Sequence, residues 1–179
     1  GILEVGMDKK GEIDYLTRII EPNIGVITNI NYAHAKNFKN IKQIALAKSE
    51  IINNIKSNGS IILNADDKFF KLHKQISQKK NLKLISFGIK SNRADIKLID
   101  IKSFGKNFKI KIKFMNKIKY FIISNDYQNN IYNILSALAV ISVNLNIFNL
   151  NKYIFLNFRI PDGRGDHSKI KINNKKINL

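Results

Sequence analysis

The sequence predicts an α/β fold: a doubly wound, mostly parallel sheet flanked by helices, with a small antiparallel β insert. Three observations carry this prediction. Short apolar runs bounded by turn residues recur at 24–30, 58–67 and 82–88. Stretches with helical apolar spacing separate them, as in a parallel sheet built from strand–helix units. From residue 95 to 124 the pattern switches to apolar–polar alternation, the period of a half-wet antiparallel sheet.

Each element has a local cause. "ILEVG" (2–6) reads as a short apolar strand with one acid inside it. "GEIDYLTRII" (11–20) places Ile13, Leu16, Ile19 and Ile20 at helical spacing, and Pro22 stops the helix. "IGVITNI" (24–30) is the next strand, followed by a helix over 40–56. "NGSIILNADD" (58–67) supplies a turn, a strand and a loop that opens a helix from Asp67 to about Ser77, and "LKLISFG" (82–88) is a further strand. The antiparallel insert, within 91–124, turns at Gly105 and Asn116. "NNIYNILSALAVISVNL" (129–145) is a strongly apolar helix, "PDGRGD" (161–166) a tight loop, and "KIKINNKKINL" a hairpin with Asn173-Asn174 at its turn. No internal repeat interrupts this order, and 179 residues suit one domain with a real core.

Composition narrows the class. With 44% hydrophobic and 25% charged residues the chain is ordinary for a globular domain. The absence of cysteine removes disulfides and thiolate metal sites. No apolar stretch approaches the roughly 18 residues of a membrane span, and "GILEVGMDKK" lacks the form of a signal peptide. A cytoplasmic protein without membrane insertion is the expectation. Thirty-one basic against 13 acidic residues give a net charge of +18. A nucleic-acid binder is the obvious reading of that charge, but arginine, the usual base-edge reader, stands only at 18, 93, 159 and 164. The lysines are spread along the chain, and Ile, Lys and Asn rise together as in a compositional drift. No nucleic-acid partner is expected; an anionic substrate or nucleotide could still benefit from the field.

Several polar residues stand where the fold expects ligands, outside the carboxyl ends of the strands. His34 follows the strand "IGVITNI", either as a ligand or as an ordinary hydrogen-bonded loop residue. Glu4 sits among Ile2, Leu3 and Val5, either facing water from an edge strand or holding a divalent cation through oxygen. Lys48 is more informative. Wound at about 100° per residue, its helix puts Ile41, Ile44, Ala45, Ile51, Ile52 and Ile55 around it, near the centre of the apolar face. A snorkelling stem is the bland account; an inward lysine needs a partner, and functional sites tolerate that expense. Asn64 and Asp66 follow "SIIL", where loop and helix-cap chemistry would also explain them. Asn130 and Asn133 open the apolar helix, again as caps or as ligand contacts. Arg164 lies between glycines that let backbone approach a ligand, which suits a phosphate or a turn.

At these residues a family comes into view. The order "LEVGMDKKGEIDYL", "IGVITNINYAHAKNF", "ALAKSEI", "ILNADD", "NNIYNILSALAV" and "GRG" resembles the central domain of the Mur ligases over essentially the whole chain, 1–179. Within the family, "E-x-G-x-x-x-x-G-E-I" and "N-I-x-x-A-H-x-x-x-F" favour the member that adds D-alanyl-D-alanine to a UDP-muramoyl tripeptide. The resemblance implies an ATP-dependent amide ligase of peptidoglycan precursor synthesis, working through an acyl phosphate, with ATP and Mg²⁺ as cofactors. It implies UDP-muramoyl peptide and D-alanyl-D-alanine as substrates, and a monomer. By the same resemblance Glu4, His34 and a carbamylated Lys48 hold magnesium, with Lys48 and His34 at the catalytic centre. Asn130 lies at the adenine, Asn133 is a further cofactor-binding residue, and Arg164 lies near the ATP phosphates or ribose.

The chain also departs from the family. Asn31 and Lys39 replace common glycines, Lys36 a common acid, Asn129 the usual His and Tyr127 a common Gly. No G-x-x-x-x-G-K-[ST] phosphate loop is present; "FGKN" at 104–107 lacks the spacing. The expectation is therefore a central domain incomplete at its N-terminus. Two alternatives stay open: a folylpolyglutamate synthase-like or other amino-acid ligase of the same superfamily, and a basic non-catalytic nucleic-acid-binding module.

Overall fold

The computed structural model describes residues 1–32, 37–125 and 130–158, together with the backbone of strands 169–172 and 175–178. Six strands form one sheet in sequential order: β1 (Ile24–Ile27), β2 (Ser60–Asn64), β3 (Lys83–Gly88), β4 (Ile96–Phe104), β5 (Asn107–Phe114) and β6 (Lys117–Ile123). β1 to β4 pair in parallel; β4, β5 and β6 pair antiparallel. The antiparallel strands thus extend the parallel ones, with β3 and β4 joined at Phe87–Ile96 and Gly88–Lys97. Five α-helices are described, α1 (Glu12–Ile20), α2 (Ile41–Lys48), α3 (Glu50–Asn53), α4 (Phe70–Lys79) and α5 (Ile131–Ile141), with a 3-10 turn at Ile147–Asn149. The tail pairs β7 (Lys169–Ile172) with β8 (Lys175–Asn178), the expected hairpin, whose turn residues 173–174 lie outside the described residues.

The helices cover both faces of the sheet because the strands bury both. All five residues of β2 are buried. Ile61 and Leu63 belong to one core cluster with Ile44, Ala45 and Ala47 of α2, Ile52 of α3 and Ile55. Ile62 belongs to the other, with Phe87 of β3, Ile110 and Ile112 of β5, and Ile134, Leu135 and Leu138 of α5. Alternation at period two sends successive side chains to opposite faces. Each fully buried aliphatic contributes about 2 kcal/mol. β5 shows the alternation most plainly, with Phe108, Ile110, Ile112 and Phe114 on the core side and Lys109 and Lys113 exposed.

Four local expectations are corrected. Residues 2–6 form no strand: Ile2 is 97% exposed, and β1 is the sheet edge, pairing only with β2. A strand exists only as half of a ladder, and among the described residues none is offered to this run. The single helix expected over 40–56 breaks at Ser49 into α2 and α3. Ser49 Oγ donates to Leu46 O at 2.6 Å and Ile52 N to Ser49 O at 2.9 Å, so i→i+3 bonding displaces the α-helical ladder there. α4 starts at Phe70, three residues after Asp67, because the Asp67 carboxylate and carbonyl accept from Phe69 N and Phe70 N in a preceding turn. α5 covers 131–141 of the expected 129–145, residue 129 lying outside the described residues.

α1 has an unusual start. Its first residue offers no side-chain cap, and Glu50 of α3 fills the role from 39 residues away. Its carboxylate accepts from Gly11 N at 2.9 and 3.0 Å and from Asp14 N at 3.2 Å. An acid at a helix N-terminus meets both orphan donors and the positive end of the dipole. Asn54 adds three bonds from its amide to Asp14 O, Asp14 Oδ1 and Thr17 Oγ1, so α1 is fastened to α3 by polar groups.

Gly59 marks the tightest backbone approach, before β2. A Cβ there would lie 2.5 Å from Ile55 Cγ2, 2.6 Å from Asn23 O and 2.8 Å from Lys56 O. Two of these neighbours are backbone and cannot swing aside, so Gly59→Ala is expected to cost about 1–3 kcal/mol. The drop in thermal midpoint should clearly exceed that of Gly6→Ala, whose Cβ would meet nothing within 4 Å.

Candidate active site at the carboxyl edge of the sheet

The polar groups gather where β1, β2 and β3 end. Asn64 closes β2, and its Oδ1 accepts from Asp66 N at 2.9 Å. This turn sends two consecutive carboxylates in different directions. Asp67 Oδ2 accepts from Ile30 N at 2.9 Å and Oδ1 from Phe69 N at 2.8 Å, tying the loop after β1 to the approach of α4. Asp66 serves the other side. Its Oδ2 accepts from Ile89 N (2.6 Å), Lys90 N (3.0 Å) and the Tyr132 hydroxyl (2.9 Å), and its Oδ1 from Ser91 N (2.7 Å). Asp66 is therefore no helix cap; it fills a ring of donors after β3. Gly88 leaves room for it, since a Cβ there would sit 3.0 Å from Asp66 Oδ1.

Lys48 ends α2 at this edge. It is half-buried, and its Nζ donates to Asn29 O at 3.1 Å, just past β1. Burial pushes the Lys48 amine down from its ordinary value, and the negative charge of Asp67 partly opposes this. The inward lysine read from helical spacing thus finds a carbonyl partner and an acid nearby. His73 of α4, absent from the sequence reading, lies under the same edge at 2% exposure. Its Nε2 is 3.0 Å from Ala45 O, which makes that nitrogen the protonated one. Burial holds the His73 pKa down; the Ala45 carbonyl and Asp67 raise it and Lys48 lowers it further. Ala45 O also accepts from Ser49 N at 3.0 Å, so His73 braces the end of the helix that carries Lys48.

The other expected residues stand as follows. Glu4 is exposed on the irregular segment before α1. His34 and Arg164 lie outside the described residues. Asn130 and Asn133 flank Tyr132 at the start of α5, with Asn133 Nδ2 donating to Asn130 Oδ1 at 3.3 Å. Asn130 makes no side-chain cap bond to its own helix. Among the described residues no group of three His, Cys, Asp or Glu side chains comes together to hold a metal, and no helix is long and apolar enough to cross a membrane.

Burial at this edge disfavours the Lys48 ammonium, which would repel a divalent cation, and favours the neutral amine, which would offer oxygen donors once carbamylated.

Three comparisons place the chain among known proteins. The family description "Mur ligase middle domain" matches residues 1–141. The UDP-N-acetylmuramoyl-tripeptide--D-alanyl-D-alanine ligase of Rickettsia prowazekii (strain Madrid E) is 33% identical over 182 residues, covering 98% of this chain and 39% of that protein. The chain thus spans less than two-fifths of that relative's length. The crystal structure of MurF ligase from Thermotoga maritima in complex with ADP superimposes with a TM-score of 0.78 at 20% identity, over 94% of this chain and 38% of that one. A mutant of L. casei FPGS superimposes less closely, with a TM-score of 0.60 at 19% identity over 79% of this chain and 33% of that one. At these identities the structural likeness establishes the α/β fold.

Asp66 yields a direct test. Burial pushes its carboxyl up, but the N–H groups of Lys90, Ile89 and Ser91 and the Tyr132 hydroxyl outweigh that and hold it below the usual aspartate value. The unfolded chain therefore takes up the proton first, and the stabilisation is complete above the ordinary aspartate pKa of about 4. It is lost as pH falls through the lower folded value. Asp66→Ala should cost about 2–3 kcal/mol at pH 7 by orphaning several donors, and the gap to the parent should narrow in acid. Thermal midpoints of both proteins from pH 7 down to 3 provide the check.

Proposed function

The chain belongs to the Mur ligase middle domain family, and from that premise we propose that it is the ATP-binding central domain of an amide ligase. The reaction joins D-alanyl-D-alanine to a UDP-N-acetylmuramoyl tripeptide: ATP phosphorylates the peptide carboxylate, and the amine then displaces phosphate from the acyl phosphate. The name of the Rickettsia relative supports the substrates, and the ADP complex of the Thermotoga neighbour supports the nucleotide. A folylpolyglutamate synthase reading has weaker support, from the lower TM-score of its neighbour. The proposal also takes the protein as cytoplasmic and monomeric.

One observation carries the reading: Lys48 held half-buried at the carboxyl edge, on Asn29 O and beside Asp67. The chemistry asks this edge to manage anionic oxygens around a transferred phosphoryl group. In the proposed site Glu4, His34 and a carbamate on Lys48 would hold Mg²⁺, which would supply positive charge against the phosphates. Asn130 and Asn133 receive the adenine, and Arg164 the phosphates or ribose. The residues of the chain do the positioning. Asn29 O orients the Lys48 side chain, His73 braces its helix, and Asp67 fixes the loop from which the segment bearing His34 departs.

The intact ligase tests this at Lys48. Lys48→Ala should lower turnover by roughly a hundredfold or more, with partial recovery when formate supplies a carboxylate. Lys48→Arg should be as inactive as Lys48→Ala, since arginine keeps its charge and takes up no CO₂. Steady-state rates with and without formate read the first, and ¹³C-bicarbonate NMR reads the carbamate. Full turnover in Lys48→Arg would make the lysine structural.

Glu4→Ala and His34→Ala should each cut turnover by roughly a hundredfold or more at saturating Mg²⁺, with the thermal midpoint unchanged. Normal turnover in either variant removes that residue from the metal set.

A further inference from the structure

We propose that Tyr132 is a positioning residue for nucleotide binding: its hydroxyl, held by Asp66, locks the first turn of α5 to the loop after β3 and so presents Asn130 and Asn133 to the adenine. The inference rests on the assignment of the base to the start of α5.

The geometry has three parts. First, consecutive backbone N–H groups of Ile89, Lys90 and Ser91 converge on one carboxylate, a nest that would otherwise attract an anion from solution. Here Asp66 fills it from within, so the loop is set before any ligand arrives. Second, the Tyr132 hydroxyl takes the remaining approach to the same carboxylate at 2.9 Å. Burial, with the Asp66 bond and charge adding to it, pushes the phenol up to about 12, so the hydroxyl remains a donor throughout the working pH range. Third, Tyr132 shares the first turn of α5 with Asn130 and Asn133, which bond to each other at 3.3 Å.

An amide offers one donor and one acceptor, the pair that matches the N6 and N7 edge of adenine. Reading that edge requires the amides to stand in one place. The apolar side of α5 supplies stability through Ile131, Ile134, Leu135 and Leu138, all buried. Such packing is non-directional. Among the described residues, the bond from Tyr132 to Asp66 is a directional restraint on this turn from outside the helix. Through Asp66, the ends of β2 and β3 and the start of α5 share one anchor.

The test uses the intact ligase, with ADP affinity by calorimetry and steady-state rates with ATP, GTP and D-alanyl-D-alanine. Tyr132→Phe keeps the ring and removes only the hydroxyl. Kd for ADP and KM for ATP should rise roughly three- to tenfold, the worth of one hydrogen bond. The preference for ATP over GTP should fall, while kcat and the KM for D-alanyl-D-alanine stay unchanged. Ile134→Val thins the packing under the same turn; it should lower the thermal midpoint yet leave ADP affinity alone. Asn133→Ala should weaken ADP. If Tyr132→Phe leaves ADP affinity intact while Asn133→Ala weakens it, Tyr132 is structural only and the inference fails by itself. If Asn133→Ala also leaves it intact, the base does not sit at α5, and the assignment beneath the inference fails with it. Equal weakening in Ile134→Val would mean general loosening of α5 and would likewise overturn the role of Tyr132.

Discussion

The two-sided burial of β2 is the constraint on which the rest depends. A five-residue strand with no exposed side chain must be covered above and below and paired on both edges. Ile61 and Leu63 draw α2, α3 and Ile55 to one face, and Ile62 draws α5 to the other. Parallel neighbours β1 and β3 then end beside β2, so their following loops share one edge. Asn64, Asp66, Asp67 and Lys48 reach that edge because of this packing. Gly25 and Gly59, both pressed against Ile55, are part of the same closeness on the α2–α3 face.

At the edge itself the sequence "DD" does two opposite jobs. Asp67 binds toward β1 and α4, Asp66 toward β3 and α5. Neither is spent on an ordinary helix cap. Together they turn three loops, which have little packing of their own, into a connected rim of charge-assisted hydrogen bonds. Such bonds cost less to keep than to break, since an orphaned N–H or carboxylate loses its whole solvation.

Lys48 stands between opposing influences. Desolvation favours the neutral amine, the nearby Asp67 favours the ammonium, and desolvation prevails. Burial likewise disfavours a positive charge on His73, against the pull of the Ala45 carbonyl and Asp67. The edge is therefore less hostile to a modified lysine than a chain of +18 would lead one to expect. The net charge bears on long-range attraction of anions, and the local partners decide protonation.

Much of this was legible in the residues. Alternating β and α runs determined the layered α/β class and period-two alternation the strands β4 to β6; the apolar face read around Lys48 holds only for Ile41, Ile44 and Ala45, because α2 ends before Ile51, Ile52 and Ile55. The motifs shared with the Mur ligases determined the family. These are properties of short windows, where side-chain period and turn chemistry are local. What residues 2–6 do was not legible, because a strand needs a partner and β1 takes the edge. Nor was the break at Ser49, the service of Glu50 as cap to α1, the bracing role of His73, or the place of Asp66 beneath Tyr132. These partners lie from 28 to 66 residues apart, Ser49 excepted. The sequence by itself determined which residues are apolar, periodic and chargeable; only the tertiary structure decided which distant donor meets which acceptor, because that choice follows from how the two helix layers close on the sheet.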